Sequence, residues 1–163
     1  MKRLVLIPFF FAILVAPAFS KDVIRYKLPH SDFPIAQAVE IPAGQSLIFL
    51  SGVGPENIDK SLPADGTAAY GDMKTQARSA LTSIAATLKS MDLSMKDVVK
   101  MQVFLVGDAA NAGKMDFAGF MASYREFFGT AEQPNLPARS AMKVAGLVNP
   151  GWLIEIEVTA VRK

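Results

Sequence analysis

Apolar positions along this chain recur mostly every second residue and, in two stretches, every third or fourth. The pattern predicts strands interrupted by two helices. Residues 22–28 alternate loosely, with Val23, Arg25 and Lys27 against Ile24, Tyr26 and Leu28, and predict a short edge strand. Residues 29–34 form a turn-rich connector that carries His30, the single histidine, read as a solvated loop residue. Residues 35–41 and 46–52 predict two strands joined as a hairpin by Pro42-Ala43-Gly44-Gln45. The second strand is apolar on both faces at Leu47-Ile48-Phe49-Leu50 and is expected to be central. It ends in Ser51-Gly52-Val53-Gly54-Pro55, where glycine lets the backbone come close to a ligand or simply ends the strand. The lysine and spacing of a phosphate loop are missing there.

After a polar loop over residues 56–70, Asp72 opens the clearest helix. Met73, Ala77, Leu81, Ile84, Leu88 and Met91 form its stripe, which reads as core packing. Residues 98–106 alternate, with Val99, Met101, Val103 and Leu105 on one face and Lys100, Gln102 and Phe104 on the other. A second helix is predicted over 115–128, with Phe117, Phe120, Met121, Tyr124, Phe127 and Phe128 on its apolar side and Gly129 ending it. Pro134 and Pro137 hold an extended approach to a strand over 138–145. Residues 146–151 turn the chain into a last strand over 152–162. Six strands with two helices on one face predict an α+β open sandwich with a mainly antiparallel sheet. No internal repeat or second domain is visible, so residues 21–163 are read as a single domain.

Residues 1–20 read as a secretory signal. Lys2-Arg3 precede an apolar run and Pro17, and cleavage is expected after Ala18 or Ser20. The run is too short to span a bilayer, and an uncleaved amphipathic anchor is the alternative. Removing residues 1–20 takes away Lys2 and Arg3, so 17 Lys+Arg become 15 against 15 Asp+Glu. A neutral mature chain carries no electrostatic case for nucleic acid. Zero cysteines exclude disulfides, thiolate metal sites and cysteine nucleophiles. The expected location is periplasmic or secreted, with no membrane attachment after cleavage.

The candidate chemistry lies near the C-terminus. Arg139 opens one strand, and its guanidinium fork suits a carboxylate held by two parallel hydrogen bonds. Glu155, Glu157 and Thr159 share one face of the last strand, opposite Ile154, Ile156, Val158 and Ala160. If the two strands form a hairpin turning near Asn149, Lys143 falls opposite Glu155, Ala141 opposite Glu157, and Arg139 on the same face near Thr159. Lys100 and Gln102 extend this polar face. On the pattern alone cross-strand ion pairs, Lys143 with Glu155 or Glu157 first among them, explain the charges better than a site does.

Pro137-Ala138-Arg139-Ser140, Val144-Ala145 and Ile154-Glu155-Ile156-Glu157-Val158-Thr159-Ala160-Val161 closely resemble the C-terminal signature of the reactive-intermediate deaminases (RidA, YjgF-type). Ser51-Gly52 matches that family's strand-end pair, and Asp116-Phe117-Ala118 with Tyr124 and Phe127-Phe128 is similar to its second helix. The resemblance implies a chorismate-mutase-like fold, a homotrimer with clefts between subunits, and hydrolysis of 2-imino acids to 2-oxo acids and ammonia without cofactor or metal. It gives Arg139 the substrate carboxylate and Glu155 the attacking water. The backbone carbonyl of Ala141 would take the imine nitrogen, with Ser51 and Gly52 on the cleft floor. Ile35 and Met121 stand where the family has tyrosine and asparagine, and Ala141 where it has cysteine, so the expected cleft is greasier. A non-catalytic trimer that binds small carboxylates through Arg139 is the alternative. Holdase and ribonuclease behaviour have less behind them.

Overall fold

The computed structural model describes residues 22–162, and the segment predicted as a signal over residues 1–20 lies outside them. The long helix, α1 (Met73–Ser90), begins where the sequence predicts. The Asp72 carboxylate accepts from the Thr75 amide at 2.8 Å, capping a free N–H of the first turn. Its buried stripe contains Met73, Ala77, Ala80, Leu81, Ile84 and Leu88. The second helix, α2 (Phe117–Phe127), is capped in the same way by Asp116, which accepts from the Gly119 amide at 2.8 Å. Gly129, at φ 77°, takes the chain out of it.

Both helices cover one face of a six-stranded sheet. Its strands are β1 (Ile24–Lys27), β2 (Ala36–Glu40), β3 (Ser46–Phe49), β4 (Val98–Leu105), β5 (Ala138–Lys143) and β6 (Ile154–Arg162), in the order β1-β2-β5-β4-β6-β3. Met101, Val103 and Leu105 of β4 and Ile154, Ile156 and Ala160 of β6 are fully buried on that face against Leu81, Ile84, Leu88, Phe120 and Tyr124. As expected, β1 is an edge strand. The Arg25 guanidinium pins it by donating to the Val98, Leu136 and Lys96 carbonyls at 2.9, 2.7 and 3.0 Å.

The sheet is mainly antiparallel, as expected, but not purely so: β1–β2, β4–β6 and β3–β6 run antiparallel, whereas β2–β5 and β4–β5 are parallel. The cause is the β4-α2-β5 crossover, since a helix returning over the sheet brings the next strand back in the same direction. The expected hairpin of residues 35–41 and 46–52 does not form, because β3 pairs with β6, from Ser46↔Arg162 to Phe49↔Thr159. β3 is therefore an edge strand and not central. Its second apolar face is open, with Phe49 75% exposed. Finally, β5 and β6 are not a hairpin, because β4 lies between them.

At the start of β6 the buried Gln76 side chain donates to the carbonyls of Gly71 and Gly151 at 2.9 and 3.2 Å. It also accepts from the Leu153 amide at 2.7 Å. This satisfies a buried amide completely at one lone pair and both hydrogens, and it ties α1 to the strand that carries Glu155.

Candidate functional site

The insertion of β4 decides where Arg139 points. In the β4–β5 ladder Arg139 is level with Met101, whose side chain is buried on the helix face. Residues paired across a ladder share a face, so Arg139 lies beneath α2. Its guanidinium carbon is 4.3 Å from the Tyr124 ring centroid, 5.0 Å from Phe120, 5.5 Å from Phe33 and 5.8 Å from Phe117. The electron-rich faces of these four rings partly replace the lost hydration of the cation. Burial still lowers its pKa, with Tyr124 opposing the shift and Arg125 adding to it. Nη1 is buried and has no hydrogen-bond partner. Burial also pushes the Tyr124 phenol up to about 12, against the pull of Arg139, so it stays protonated and donates to the Pro34 carbonyl at 2.8 Å.

Glu155 points the other way. It is paired with Phe104 on the face away from the helices, between the fully buried Ile154 and Ile156. The expectation that Arg139 and Glu155 share a face is therefore overturned. Lys143 is on the helix face, level with Leu105, and gives its ammonium to the Gly113 carbonyl at 2.8 Å rather than to Glu155 or Glu157.

Gly52 does meet Glu155. Phe49 pairs with Thr159 and Val53 bridges to Ile156, so Leu50, Ser51 and Gly52 face only Glu157 and Val158. That one extra residue is a bulge, which lifts Ser51-Gly52 out of the ladder. A Cβ on Gly52 would overlap the Glu155 carboxylate, and one on Gly54 would overlap the Trp152 ring. At Gly54 the obstacle is a rigid ring, whereas at Gly52 it is the end of a flexible side chain that can swing aside. Gly52→Ala is therefore expected to cost at most about 1 kcal/mol of stability while it displaces the Glu155 carboxylate. Most of that cost should vanish in a Glu155→Ala background, as a double-mutant cycle by urea unfolding would show.

The remaining residues divide between the two faces. Ile35 is half-buried beside the start of β5, since the next residue, Ala36, pairs with Ala138. Ala141 packs against the core on the helix side, level with Val103. Met121, 7% exposed, belongs to the core. On the open face a cavity of about 410 Å³ is lined by Phe49, Leu50, Lys100, Gln102, Glu157 and Thr159. His30 is exposed in its loop, and no cluster of three metal-ligating side chains occurs among the described residues. The ring cage around Arg139 was not foreseen as a group. The 117, 120, 124 spacing puts three of its members on one stripe, but nothing local links them to Arg139 or Phe33.

Comparison with known proteins identifies the family and the fold. The model of the Endoribonuclease L-PSP family matches residues 29–162. A RutC family protein of Haemophilus influenzae is 36% identical over 137 residues, spanning 84% of this chain and 93% of the relative. The 2-iminobutanoate/2-iminopropanoate deaminase of Salmonella typhimurium is 33% identical over 144 residues, or 88% and 99% of the two chains. Among solved structures, E. coli TdcF with bound serine superposes at a TM-score of 0.55 with 30% identity, covering 88% of this chain and all of that one. The chain belongs to this RidA/YjgF family and has its chorismate-mutase-like fold.

Proposed function

We propose that this protein hydrolyses reactive 2-imino acids and their enamine tautomers to 2-oxo acids and ammonia, in clefts between copies of the chain. The observation that carries the proposal is the half-buried Arg139 guanidinium, held among aromatic rings with a buried Nη1 that has no hydrogen-bond partner and with no carboxylate paired to it among the described residues. A cation desolvated in that way is set to receive an anionic group from outside. The deaminase relative and the serine-bound TdcF, each described by its own name, support an amino-acid-derived carboxylate as that group.

The chemistry then needs few parts. Arg139 forks the substrate carboxylate and fixes the C=N carbon. Glu155 removes a proton from water as its oxygen adds to that carbon and passes it to the imine nitrogen, whose N–H donates to the Ala141 carbonyl. The resulting amino alcohol moves its hydroxyl proton to nitrogen, again by way of Glu155, as the C–N bond breaks, releasing ammonia and leaving the 2-oxo acid. Orientation and general-base help are the two contributions.

Because Arg139 and Glu155 lie on opposite faces of one sheet, a cleft using both draws them from different subunits. The open face offers a surface for that contact, with Phe49 75% exposed beside the paired Thr159. A homotrimer satisfies this, each subunit giving its arginine to one neighbour and its glutamate to the other. In a coupled assay with imines generated in situ from several amino acids, the wild type is expected to accelerate hydrolysis. Co-assembled Arg139→Ala and Glu155→Gln chains in equal amounts should recover about a quarter of wild-type activity, since one cleft in four receives both intact residues. No recovery would place both residues in one subunit's site and sink the shared cleft. Carboxylate binding without any imine hydrolysis would leave only a binding protein.

A further inference from the structure

The four rings around Arg139 fall into two pairs. Phe120 and Tyr124 are fully buried and form the core side of the cage. Phe33 is 37% exposed and Phe117 is half-buried, and these form its solvent side. The proposed chemistry uses neither of them, yet they are the two of the four rings that solvent reaches, so a ligand that approaches the guanidinium from their side meets them. Their planes are 18° apart with centroids separated by 6.5 Å, so they present two roughly parallel apolar faces near the fork.

This wall is built in advance. Phe117 packs on Phe120 at 5.8 Å, which ties it to the core. The Phe33 amide donates to Ser31 Oγ at 3.2 Å, and its carbonyl accepts from the Ile35 amide at 2.8 Å. The next carbonyl, that of Pro34, is held by the Tyr124 hydroxyl at 2.8 Å. The loop that carries Phe33 is thus fastened to the residue that lies against the guanidinium. In a 2-imino acid the side chain leaves from the carbon next to the carboxylate. A carboxylate on the Arg139 fork therefore brings that side chain close to rings 5.5 and 5.8 Å from the guanidinium carbon.

We infer that Phe33 and Phe117 form the side-chain subsite of this site, and that its ligands carry aromatic or large apolar side chains. That such a ligand is an imine rests on the proposed function, whereas the subsite needs only that Arg139 holds a carboxylate. Apolar pockets discriminate at about 10-fold or more per lost methylene, so the preference should be large enough to measure.

The test uses two readouts. Calorimetry compares binding of phenylpyruvate and pyruvate, and the coupled assay compares kcat/KM for imines from phenylalanine and alanine. The wild type is expected to favour the aromatic member of each pair by about 10-fold or more. Phe33→Ala should remove most of that preference, and Phe33→Leu should keep most of it. Equal affinity for phenylpyruvate and pyruvate in the wild type overturns the inference, as does an unchanged preference in Phe33→Ala. Turnover without preference overturns the subsite alone, whereas preference in binding without turnover supports the subsite and overturns the proposed reaction.

Discussion

Replacing Glu155 by glutamine is expected to slow imine hydrolysis by about 10²–10⁴-fold, the usual contribution of a positioned general base. The amide is nearly isosteric with the carboxylate, so the close contact with Gly52 survives and the bulge at Ser51-Gly52 keeps its shape. What disappears is the acceptor strong enough to take a proton from water. Binding of a 2-oxo acid should change little, because the carboxylate fork belongs to Arg139. Glu157→Gln is the internal control: Glu157 is paired with Gln102 and lines the open-face cavity rather than meeting Gly52. A Glu155→Gln enzyme within threefold of the wild-type rate would remove Glu155 from the chemistry.

Replacing Arg139 by methionine is expected to weaken carboxylate binding by about 10²–10⁴-fold. Two hydrogen bonds to a charged group are lost, each contributing roughly 1.5–3 kcal/mol, and 1.4 kcal/mol is a factor of ten. The stability effect should run in the other direction. An apolar side chain of similar length fits among Phe33, Phe117, Phe120 and Tyr124, and the desolvation that lowers the arginine pKa no longer opposes folding. The melting temperature is therefore expected to stay level or rise while binding collapses. A purely structural arginine would give the reverse, a lower melting temperature with ligand affinity retained. Intact carboxylate binding in this variant would sink the deaminase and the binding-protein readings together.

Local signals in the sequence were sufficient for the elements. Asp72 marks the start of α1, the 73, 77, 81, 84, 88 spacing marks its core stripe, and the alternation of β4 and β6 separates buried from open positions. Strand order was not legible, because it depends on pairings between distant residues. Pro42 to Gln45 has the composition of a hairpin turn, but β6 offers β3 a longer partner than β2 does. The same kind of error moved Arg139 to the wrong face. In a strand of period two the face follows from the register, and the register inferred from a β5–β6 hairpin differs from the one set by Met101↔Arg139. Glu155, Ser51 and Gly52 were legible as site candidates. The ring cage was not, because Phe33 reaches Arg139 from a loop more than a hundred residues earlier in the chain.

A strand that alternates strictly can pair equally well one residue out of step, and a single slip of β6 would turn Ile154 and Ile156 outward and drive Glu155 and Glu157 into the core. Apolar burial opposes such a slip only once the sheet has closed. The Gln76 amide opposes it at a fixed point, because its carbonyl oxygen accepts from Leu153 and its two hydrogens reach Gly71 and Gly151. One buried side chain on α1 therefore acts as an alignment pin for a strand that forms from the opposite end of the sequence. It decides which side of the sheet receives the Glu155 carboxylate, although it lies on the far side of that sheet from it.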